Sequence, residues 1–236
     1  MLPIEKIEKE CAAFGLLLDD LAKSRMNRYA TLLLEWNQKM NLTAITEPEE
    51  VGEKHFLDSL YLLKFNSLKQ HAKLIDVGTG AGFPGVVLKI ARPDLRLTLL
   101  DGLNKRLLFL REVLQELELS AELLHLRAED GGQKAGLRES FDYATARAVA
   151  RLPALAEYCM PFVRKGGHFL CMKGPAAEDE MDEAAGAIGI LGGKQGIIHR
   201  YQLPKGEIRT IIDIKKISQT PAKYPRQGVK ITKKPL

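Results

Sequence analysis

The sequence predicts an α/β fold in which an open, mostly parallel seven-stranded sheet follows a helical N-terminal extension. From Lys73 onward, short apolar runs alternate with amphipathic stretches, which is the pattern of parallel strands joined by crossover helices. The first of these runs leads directly into a glycine-rich loop. The last two are separated only by Pro204-Lys-Gly-Glu207, and so short a link requires an antiparallel hairpin.

The extension comes first. Tyr29, Leu33 and Trp36 belong to a set of apolar residues that recur at spacings of three and four, as on one face of a helix. Thr46 with Glu49 is expected to cap a further helix over residues 48–63. We therefore divide the chain into a helical extension, residues 1–70, and a sheet domain, residues 71–236.

Within the sheet domain the pattern assigns each element in turn. The predicted strands are residues 73–77, 96–101, 122–126, 141–145 and 168–173, followed by a hairpin of residues 196–203 and 209–217. The predicted helices are residues 84–91, 105–117, 152–163 and 178–191.

Composition excludes several classes. The 236 residues are 45% hydrophobic and 28% charged, as in globular proteins rather than disordered ones. No apolar run approaches the roughly 18 to 20 residues that span a bilayer, and no secretory signal is evident, so we expect a cytoplasmic protein. Cys11, Cys159 and Cys171 form no CxxC pair and the five histidines are scattered, which predicts packed thiols and no metal site.

Charge is unevenly distributed along the chain. The whole sequence carries +5, but residues 194–236 alone carry a net +9. A basic C-terminal part favours a polyanionic partner, and nucleic acid is the commonest one. The alternative at this point is a solvated edge that only keeps the protein soluble.

The glycine-rich loop after the first strand predicts a cofactor site. Gly78, Gly80 and Gly82 allow a sharp turn and a close approach of the backbone to a ligand. Gly80, Gly82 and Gly85 also match GxGxxG, which by itself would fit a dinucleotide.

Acidic residues at successive strand ends favour a cationic cofactor. Asp76 lies at the end of the first strand, Asp101 ends the second and Glu129 follows the third. S-adenosylmethionine brings an ammonium and a sulfonium, whereas a dinucleotide would bring a pyrophosphate next to Asp76. Asp101 is interpreted as the ribose ligand, with capping of the following helix as its alternative. The terminal hairpin is also typical of methyltransferase sheets.

The methyl acceptor cannot be an exocyclic base amine on the usual pattern, because no Pro-Pro-aromatic motif follows the fourth strand. Cys159 and Cys171 lie in a predicted helix and strand, so neither suits the nucleophile of a cytosine C5 enzyme.

Several segments together resemble one family, the bacterial small-subunit ribosomal RNA guanine-N7 methyltransferases, also called the glucose-inhibited division protein B family. The resemblance covers nearly the whole chain in order, with one departure at Gly102, where the family usually has Ser or Ala. The segments are Trp36-Asn-Gln-Lys-Met-Asn-Leu-Thr43, His55-Phe-Leu-Asp-Ser59, Asp76-Val-Gly-Thr-Gly-Ala-Gly-Phe-Pro-Gly85, Leu100-Asp-Gly-Leu-Asn-Lys-Arg106, Arg127-Ala-Glu129, Thr145-Ala-Arg-Ala-Val-Ala150 and Lys223-Tyr-Pro-Arg226.

This resemblance implies a Rossmann-like methyltransferase that uses S-adenosylmethionine to methylate N7 of one guanine in a loop of 16S ribosomal RNA. It implies no general base, since N7 carries a lone pair and no proton. We expect a monomer that acts on the small ribosomal subunit without a metal or a membrane. Combined with the loop and the acids, the expected cofactor-binding residues are Asp76, Gly78, Gly80, Gly82, Phe83, Asp101, Ala128, Glu129 and Arg147.

Basic residues at strand ends and in the acid-free tail are expected to contact RNA. They are Arg147, Arg151, Lys173, Lys223, Arg226, Lys230, Lys233 and Lys234. Two alternatives stay open from the sequence: a non-catalytic ribosome-assembly factor with the same fold, and, less favoured, an NAD-dependent oxidoreductase.

Overall fold

The computed structural model describes residues 1–147 and 150–236. Ala148 and Val149, in the Thr145–Ala150 segment that supports the resemblance, lie outside the described residues. Seven strands form one sheet in the order β3-β2-β1-β4-β5-β7-β6. The strands are β1 (Lys73–Val77), β2 (Arg96–Asp101), β3 (Glu122–His125), β4 (Phe141–Arg147), β5 (Val163–Lys173), β6 (Ile197–Gln202) and β7 (Ile208–Lys215).

The predicted α/β class and terminal hairpin are confirmed. Strands β1 to β5 pair in parallel, and β7 pairs antiparallel with both β5 and β6. In a parallel sheet every carboxyl end lies at the same edge, so the loops after β1, β2, β3 and β4 converge there.

Helices cover both faces of this sheet. In the described residues they are α1 (Ile4–Ala13), α2 (Asp20–Asn37), α3 (Pro48–Val51), α4 (Asp58–Phe65), α5 (Gly85–Ala91), α6 (Asn104–Glu116), α7 (Ala128–Gln133), α8 (Leu152–Cys159), α9 (Ala177–Ile190) and α10 (Gly228–Lys233). A π-helical turn over Gly52–Leu57 joins α3 to α4 without a break. No helix in these residues is long and apolar enough to cross a membrane.

The extension packs on one face of the sheet, together with α5 and α6. Alternation along β1 explains the two cores, because Leu74 faces this core and Ile75 faces the one that contains α8 and α9. Tyr29 of α2 stacks on Phe83 of the glycine loop, with ring centroids 5.1 Å apart. The extension therefore contacts the loop directly.

Some local expectations are wrong. Glu47, not Thr46, precedes α3, and no side-chain cap forms there; Pro48 at the first position removes one of the amide groups that a cap would satisfy. The predicted helix over residues 152–163 ends at Cys159 and passes through a 3₁₀ turn, and β5 starts at Val163 rather than at residue 168. Helices α7 and α10 were not predicted, since six residues show too little periodicity. All three cysteines are buried free thiols, as expected.

Candidate active site

A cavity of about 1020 Å³ opens at the carboxyl ends of β1 to β4. Its walls come from the glycine loop, the ends of β2 and β4, the residues after β3, the extension and helix α10. This is the position at which open α/β sheets bind their ligands.

The glycine loop turns back over the end of β2. Gly78 donates its backbone N–H to the carbonyl of Leu100 at 2.8 Å, which fixes the loop against the neighbouring strand. Gly78 and Gly80 have φ angles of 70° and 60°, a region that side chains with a Cβ rarely adopt. Both glycines line the cavity, as the sequence predicted.

Asp76 does not line the cavity, which corrects its assignment to the cofactor. Its carboxylate is fully buried behind the loop, where Oδ2 accepts from the Thr79 hydroxyl at 2.8 Å and from the Gly85 N–H at 2.9 Å. Oδ1 has no partner among the described residues, and burial raises the pKa of this carboxyl to about 6. Asp76 thus shapes the loop. Because Asp76 lies behind the loop, its charge does not distinguish S-adenosylmethionine from a dinucleotide.

Gly82 also lies away from the cavity. With φ at 95°, it faces Tyr29 of the extension and Leu110 of α6, and an added Cβ would clash with the Tyr29 hydroxyl and lie 2.7 Å from Leu110 Cδ2. The Tyr29 hydroxyl donates to the carbonyl of Ala81. The third glycine therefore allows α2 to pack on the loop and is not one of the residues that line the cavity.

Asp101 lines the cavity at the end of β2. Oδ2 accepts from the Gly80 N–H at 2.9 Å, and Oδ1 accepts from the Leu103 N–H at 2.8 Å. Arg106 lies 3.3 Å from the same carboxylate. One carboxylate therefore links the glycine loop to the start of α6. Asp101 both stabilises the start of this helix and lines the cavity, so the two interpretations from the sequence are compatible.

Ala128 and Glu129 follow β3 and line the next part of the wall. Glu129 is half-buried, and its carboxylate lies against the backbone of Gly228 in α10. Among the described residues, this carboxylate accepts no hydrogen bond, which leaves its oxygens available to a ligand.

Arg147 is the last residue of β4, which is separated from β2 and Asp101 by β1. Residues of the extension hold its guanidinium. Nη1 donates to the carbonyl of Lys54 at 2.8 Å and to Asp58 Oδ2 at 3.2 Å. Asp58 is buried and also accepts from the Tyr201 hydroxyl at 2.7 Å. The guanidinium lies over the ring of Phe83, 5.1 Å from its centroid. Nε–H makes no hydrogen bond within the described residues.

His55 extends this cluster. Its ring stacks on Phe83 at a centroid distance of 4.8 Å, and Nε2 lies 2.8 Å from the hydroxyl of Thr43. Nδ1 lies 3.3 Å from Nη2 of Arg147 and 3.2 Å from the carbonyl oxygen of Lys54. Burial, with Arg147 beside it, lowers the pKa of His55 to about 4, so the imidazole is neutral at pH 7. Two sequence segments of the extension, ending at Thr43 and starting at His55, therefore meet at the cavity.

The sequence predicts that acidic residues dominate the cofactor site, and this prediction is wrong in its charge balance. Three carboxylates line the cavity, but three guanidinium groups line it too, because α6, the residues after β3 and the end of β4 each place an arginine there. The acids are Asp101, Glu129 and Asp130, and the arginines are Arg106, Arg127 and Arg147. Such a site suits a zwitterionic ligand, with a place for each sign of charge.

The residues expected to contact RNA fall into two groups besides Arg147. Three of them have carboxylate partners within the protein: Lys173 with Glu180 at 2.7 Å, Arg151 with Glu183 at 2.6 Å and Arg226 with Glu157 at 2.6 Å. The Lys173 side chain is only 10% exposed, and Glu157 is fully buried. The other four, Lys223, Lys230, Lys233 and Lys234, are exposed and have no ion pair within the described residues.

Sequence reasoning missed part of the wall. Helix α10 contributes Gly228, Val229 and Thr232, and α8 contributes Tyr158. Arg106 and Arg127 also line the cavity. The two arginines belong to segments that carry the resemblance, which could have indicated them. Nothing in the sequence indicates that the C-terminal tail returns to the carboxyl edge of the sheet.

The fold is shared with solved methyltransferases of the α/β class. A SAM-dependent O-methyltransferase from Thermotoga maritima superimposes with a TM-score of 0.51 at 13% identity, over 79% of this chain and 72% of that one. A precorrin-6y C5,15-methyltransferase from Geobacter metallireducens gives 0.51 at 13%, over 75% of this chain and 91% of that one. At these identities the likeness concerns the fold.

The family follows from closer relatives. The family model for rRNA small subunit methyltransferase G, GidB, matches residues 22–209. Proteins named ribosomal RNA small subunit methyltransferase G are 51% identical in Alkaliphilus metalliredigens, over 96% of this chain and 95% of that protein, and 44% identical in Clostridium tetani, over 98% and 97%. The chain belongs to the family of small-subunit rRNA methyltransferases G, and the resemblance predicted from the motifs is confirmed.

Proposed function

We propose that this protein transfers the methyl group of S-adenosylmethionine to N7 of one guanine in a loop of 16S ribosomal RNA. The observation that carries the proposal is the opposite charge at the ends of β2 and β4, the two strands that flank β1. Asp101 presents a carboxylate at the end of β2, and Arg147 presents a guanidinium at the end of β4, on the two sides of the glycine loop.

The residues present fit S-adenosylmethionine. Asp101 offers a carboxylate to the ribose hydroxyls, and Glu129 offers one that has no partner among the described residues, where the base would lie. The Nε–H of Arg147, which makes no hydrogen bond to any described residue, suits the carboxylate of the methionine part. When bound, the cofactor supplies an electrophilic methyl group on a sulfonium.

The reaction needs no deprotonation by the protein, because guanine N7 attacks with a lone pair. Rate enhancement then comes from alignment of N7 with the methyl carbon, which contributes up to about 7 to 11 kcal/mol in favourable cases. His55 is neutral at pH 7, and both of its ring nitrogens have partners, so it holds the site in place and is no general base.

RNA is proposed to approach over the C-terminal tail. Lys223, Lys230, Lys233 and Lys234 are exposed cations that can neutralise phosphates. Arg151, Lys173 and Arg226 have carboxylate partners, and we give them a smaller part in RNA binding. N7 faces the deep, narrow groove of A-form RNA, so a loop or a splayed base is the accessible target. The protein is proposed to act as a monomer in the cytoplasm, where its ribosomal substrate is.

Transfer of a radiolabelled methyl group to small subunits from a strain that lacks this gene tests the proposal. We expect one methyl per subunit, mapped by mass spectrometry to N7 of a loop guanine. Label at another atom or another base would contradict the proposed target. Binding of subunits without any transfer would identify the non-catalytic assembly factor instead.

A further inference from the structure

The last helix of the chain, α10, forms part of the cavity wall. Gly228, Val229 and Thr232 line the cavity, whereas Lys230 and Lys233 are exposed. Val229 and Thr232 are three residues apart and therefore share a face of the helix. The proposed RNA contact of the lysines does not account for the side of α10 that lines the cavity.

Strand order decides which part of a ligand this wall would touch. In the order β3-β2-β1-β4, Asp101 ends β2, and the residues after β3 lie on the side away from β1. The proposed function puts the ribose on Asp101 and the methionine part toward Gly78 and Arg147. The purine base must then extend toward Glu129, and Glu129 is the residue that Gly228 of α10 touches.

Gly228 leaves the space that the Glu129 carboxylate occupies. A Cβ added at Gly228 would clash with Oε1 of Glu129 and would lie 3.1 Å from its Cδ. Because these atoms are at the end of a flexible side chain, alanine would displace the carboxylate and leave the fold intact. Position 228 therefore controls where the Glu129 carboxylate lies.

The protein holds α10 in this position through buried contacts. The Arg226 guanidinium and the Arg226 backbone N–H both donate to the fully buried carboxylate of Glu157, the latter at 2.7 Å. Arg138 donates from Nη1 to the carbonyl of Tyr224 at 2.8 Å. Ile231 within the helix is completely buried. Two sets of hydrogen bonds and one buried side chain therefore hold the tail in place.

Two apolar side chains at this end of the cavity are exposed to an unusual degree. Val229 of α10 is 66% exposed, and Leu103, just after β2, is 56% exposed, yet both line the cavity. A flat purine ring is a surface that such side chains cover well, since each would lose contact with water.

We propose that α10 is the outer wall of the subsite for the purine base of the cofactor. Val229 and Leu103 cover the base, and Gly228 leaves the Glu129 carboxylate free to accept a hydrogen bond from its exocyclic amine. This inference rests on the proposed function, since it takes S-adenosylmethionine as the ligand.

Titration calorimetry on the full chain tests the wall. The ligands are S-adenosylmethionine and 5′-methylthioadenosine, which keeps the base and ribose but lacks the amino acid. Val229→Ala removes two methyl groups and should weaken both ligands by about fivefold, the order expected for this apolar area. Ile197→Ala is the matched control, because Ile197 is 62% exposed and lies outside the cavity, and it should leave both affinities unchanged.

A double-mutant cycle tests the role of Gly228. Gly228→Ala should weaken both ligands by about tenfold in the unaltered chain and by less than about twofold in a Glu129→Ala background, because the alanine acts only by displacing that carboxylate. Thermal unfolding of each variant shows whether the fold is retained.

The outcomes separate this inference from the proposed function. If the unaltered chain binds neither ligand, the cofactor assignment itself is wrong. A second outcome is that the unaltered chain binds both ligands while Val229→Ala and Gly228→Ala bind them with the same affinity as the unaltered chain. In that case α10 is not part of the base subsite, and the cofactor assignment stands. An equal loss from Gly228→Ala with and without Glu129 would overturn the part given to that carboxylate.

Discussion

Arg147, the last residue of β4, forms an ion pair with Asp58 of the N-terminal extension, with Nη1 3.2 Å from Oδ2. The two residues lie far apart in sequence, and the pair is largely shielded from water, with side-chain exposures of 17% for Arg147 and 4% for Asp58. The extension therefore orients a guanidinium that lines the cavity. This contact makes the extension a structural part of the candidate active site.

Asp58→Ala should destabilise the protein by about 3 kcal/mol, because it leaves the Arg147 guanidinium without its carboxylate in a buried position. Urea unfolding measures the loss. Glu49→Ala is the control, since Glu49 pairs with Lys6 at an exposed site and should cost less than about 1 kcal/mol. Equal losses in the two variants would show that the Asp58 pair is not a special contact.

Asp101→Asn should weaken S-adenosylmethionine binding by roughly 1.5 to 3 kcal/mol, the contribution of a hydrogen bond to a charged group. The amide keeps the shape of the side chain and can still accept from the Gly80 N–H. Calorimetry measures the affinity, with Asp179→Asn on the exposed face of α9 as the control. An unchanged affinity would remove Asp101 from the ribose site.

The raised pKa of Asp76 should make the stability of the protein fall as pH rises through the weakly acidic range. Its native pKa of about 6 lies above the ordinary value of 3.8, so between these values the native state binds more protons than the unfolded chain. The free energy of unfolding that this group contributes therefore falls as pH rises from about 4 to about 6, by roughly 3 kcal/mol, and stays low above pH 6.

Asp76→Asn removes that titration while keeping the size of the side chain. The stability of the variant relative to the unaltered protein should rise by roughly 3 kcal/mol between pH 4 and pH 7, as measured by urea unfolding at each pH. Asp182→Asn, at an exposed carboxylate, should show a flat difference. A flat difference for Asp76→Asn would mean that the buried carboxyl does not titrate in this range.

The lowered pKa of His55 should make the stability of the protein rise with pH, opposite to the effect of Asp76. The native pKa of His55, about 4, lies below the ordinary value of 6.5, so the unfolded chain binds more protons between these values. The free energy of unfolding that the neutral His55 imidazole contributes is fully present above about pH 6.5 and is lost as pH falls to about 4. His55→Gln should reduce the acid sensitivity of unfolding by roughly 3 kcal/mol over that interval, whereas His71→Asn at an exposed site should not.

Replacing Lys230, Lys233 and Lys234 together with alanine should weaken RNA binding and make it less dependent on salt. Each lost phosphate contact reduces the slope of log affinity against log salt by about 0.7 to 0.9. Filter binding of small subunits across a salt series measures that slope. The control is Lys69, Lys73 and Lys165, three exposed lysines near the amino ends of the strands, at the opposite edge of the sheet. An unchanged slope in the tail variant would exclude the tail from RNA contact.

Much of the architecture could be predicted because local patterns specify it. The short apolar runs of β1 and β2 and the link between β6 and β7 each depend on neighbouring residues alone. The motifs that carry the resemblance identified the family for the same reason. Cavity-lining positions for Gly78, Gly80 and Asp101 follow from the rule that ligands bind at the carboxyl ends of parallel strands.

The sequence by itself determined the fold class, the hairpin and the family, since periodicity and motif spacing are written along the chain. Only the tertiary structure decided which way each side chain faces. It placed Asp76 behind the loop and Gly82 against Tyr29, because burial depends on which helix packs over the loop. It brought Asp58 to Arg147 and Gly228 to Glu129, pairs whose contact depends on long-range packing that no local pattern encodes.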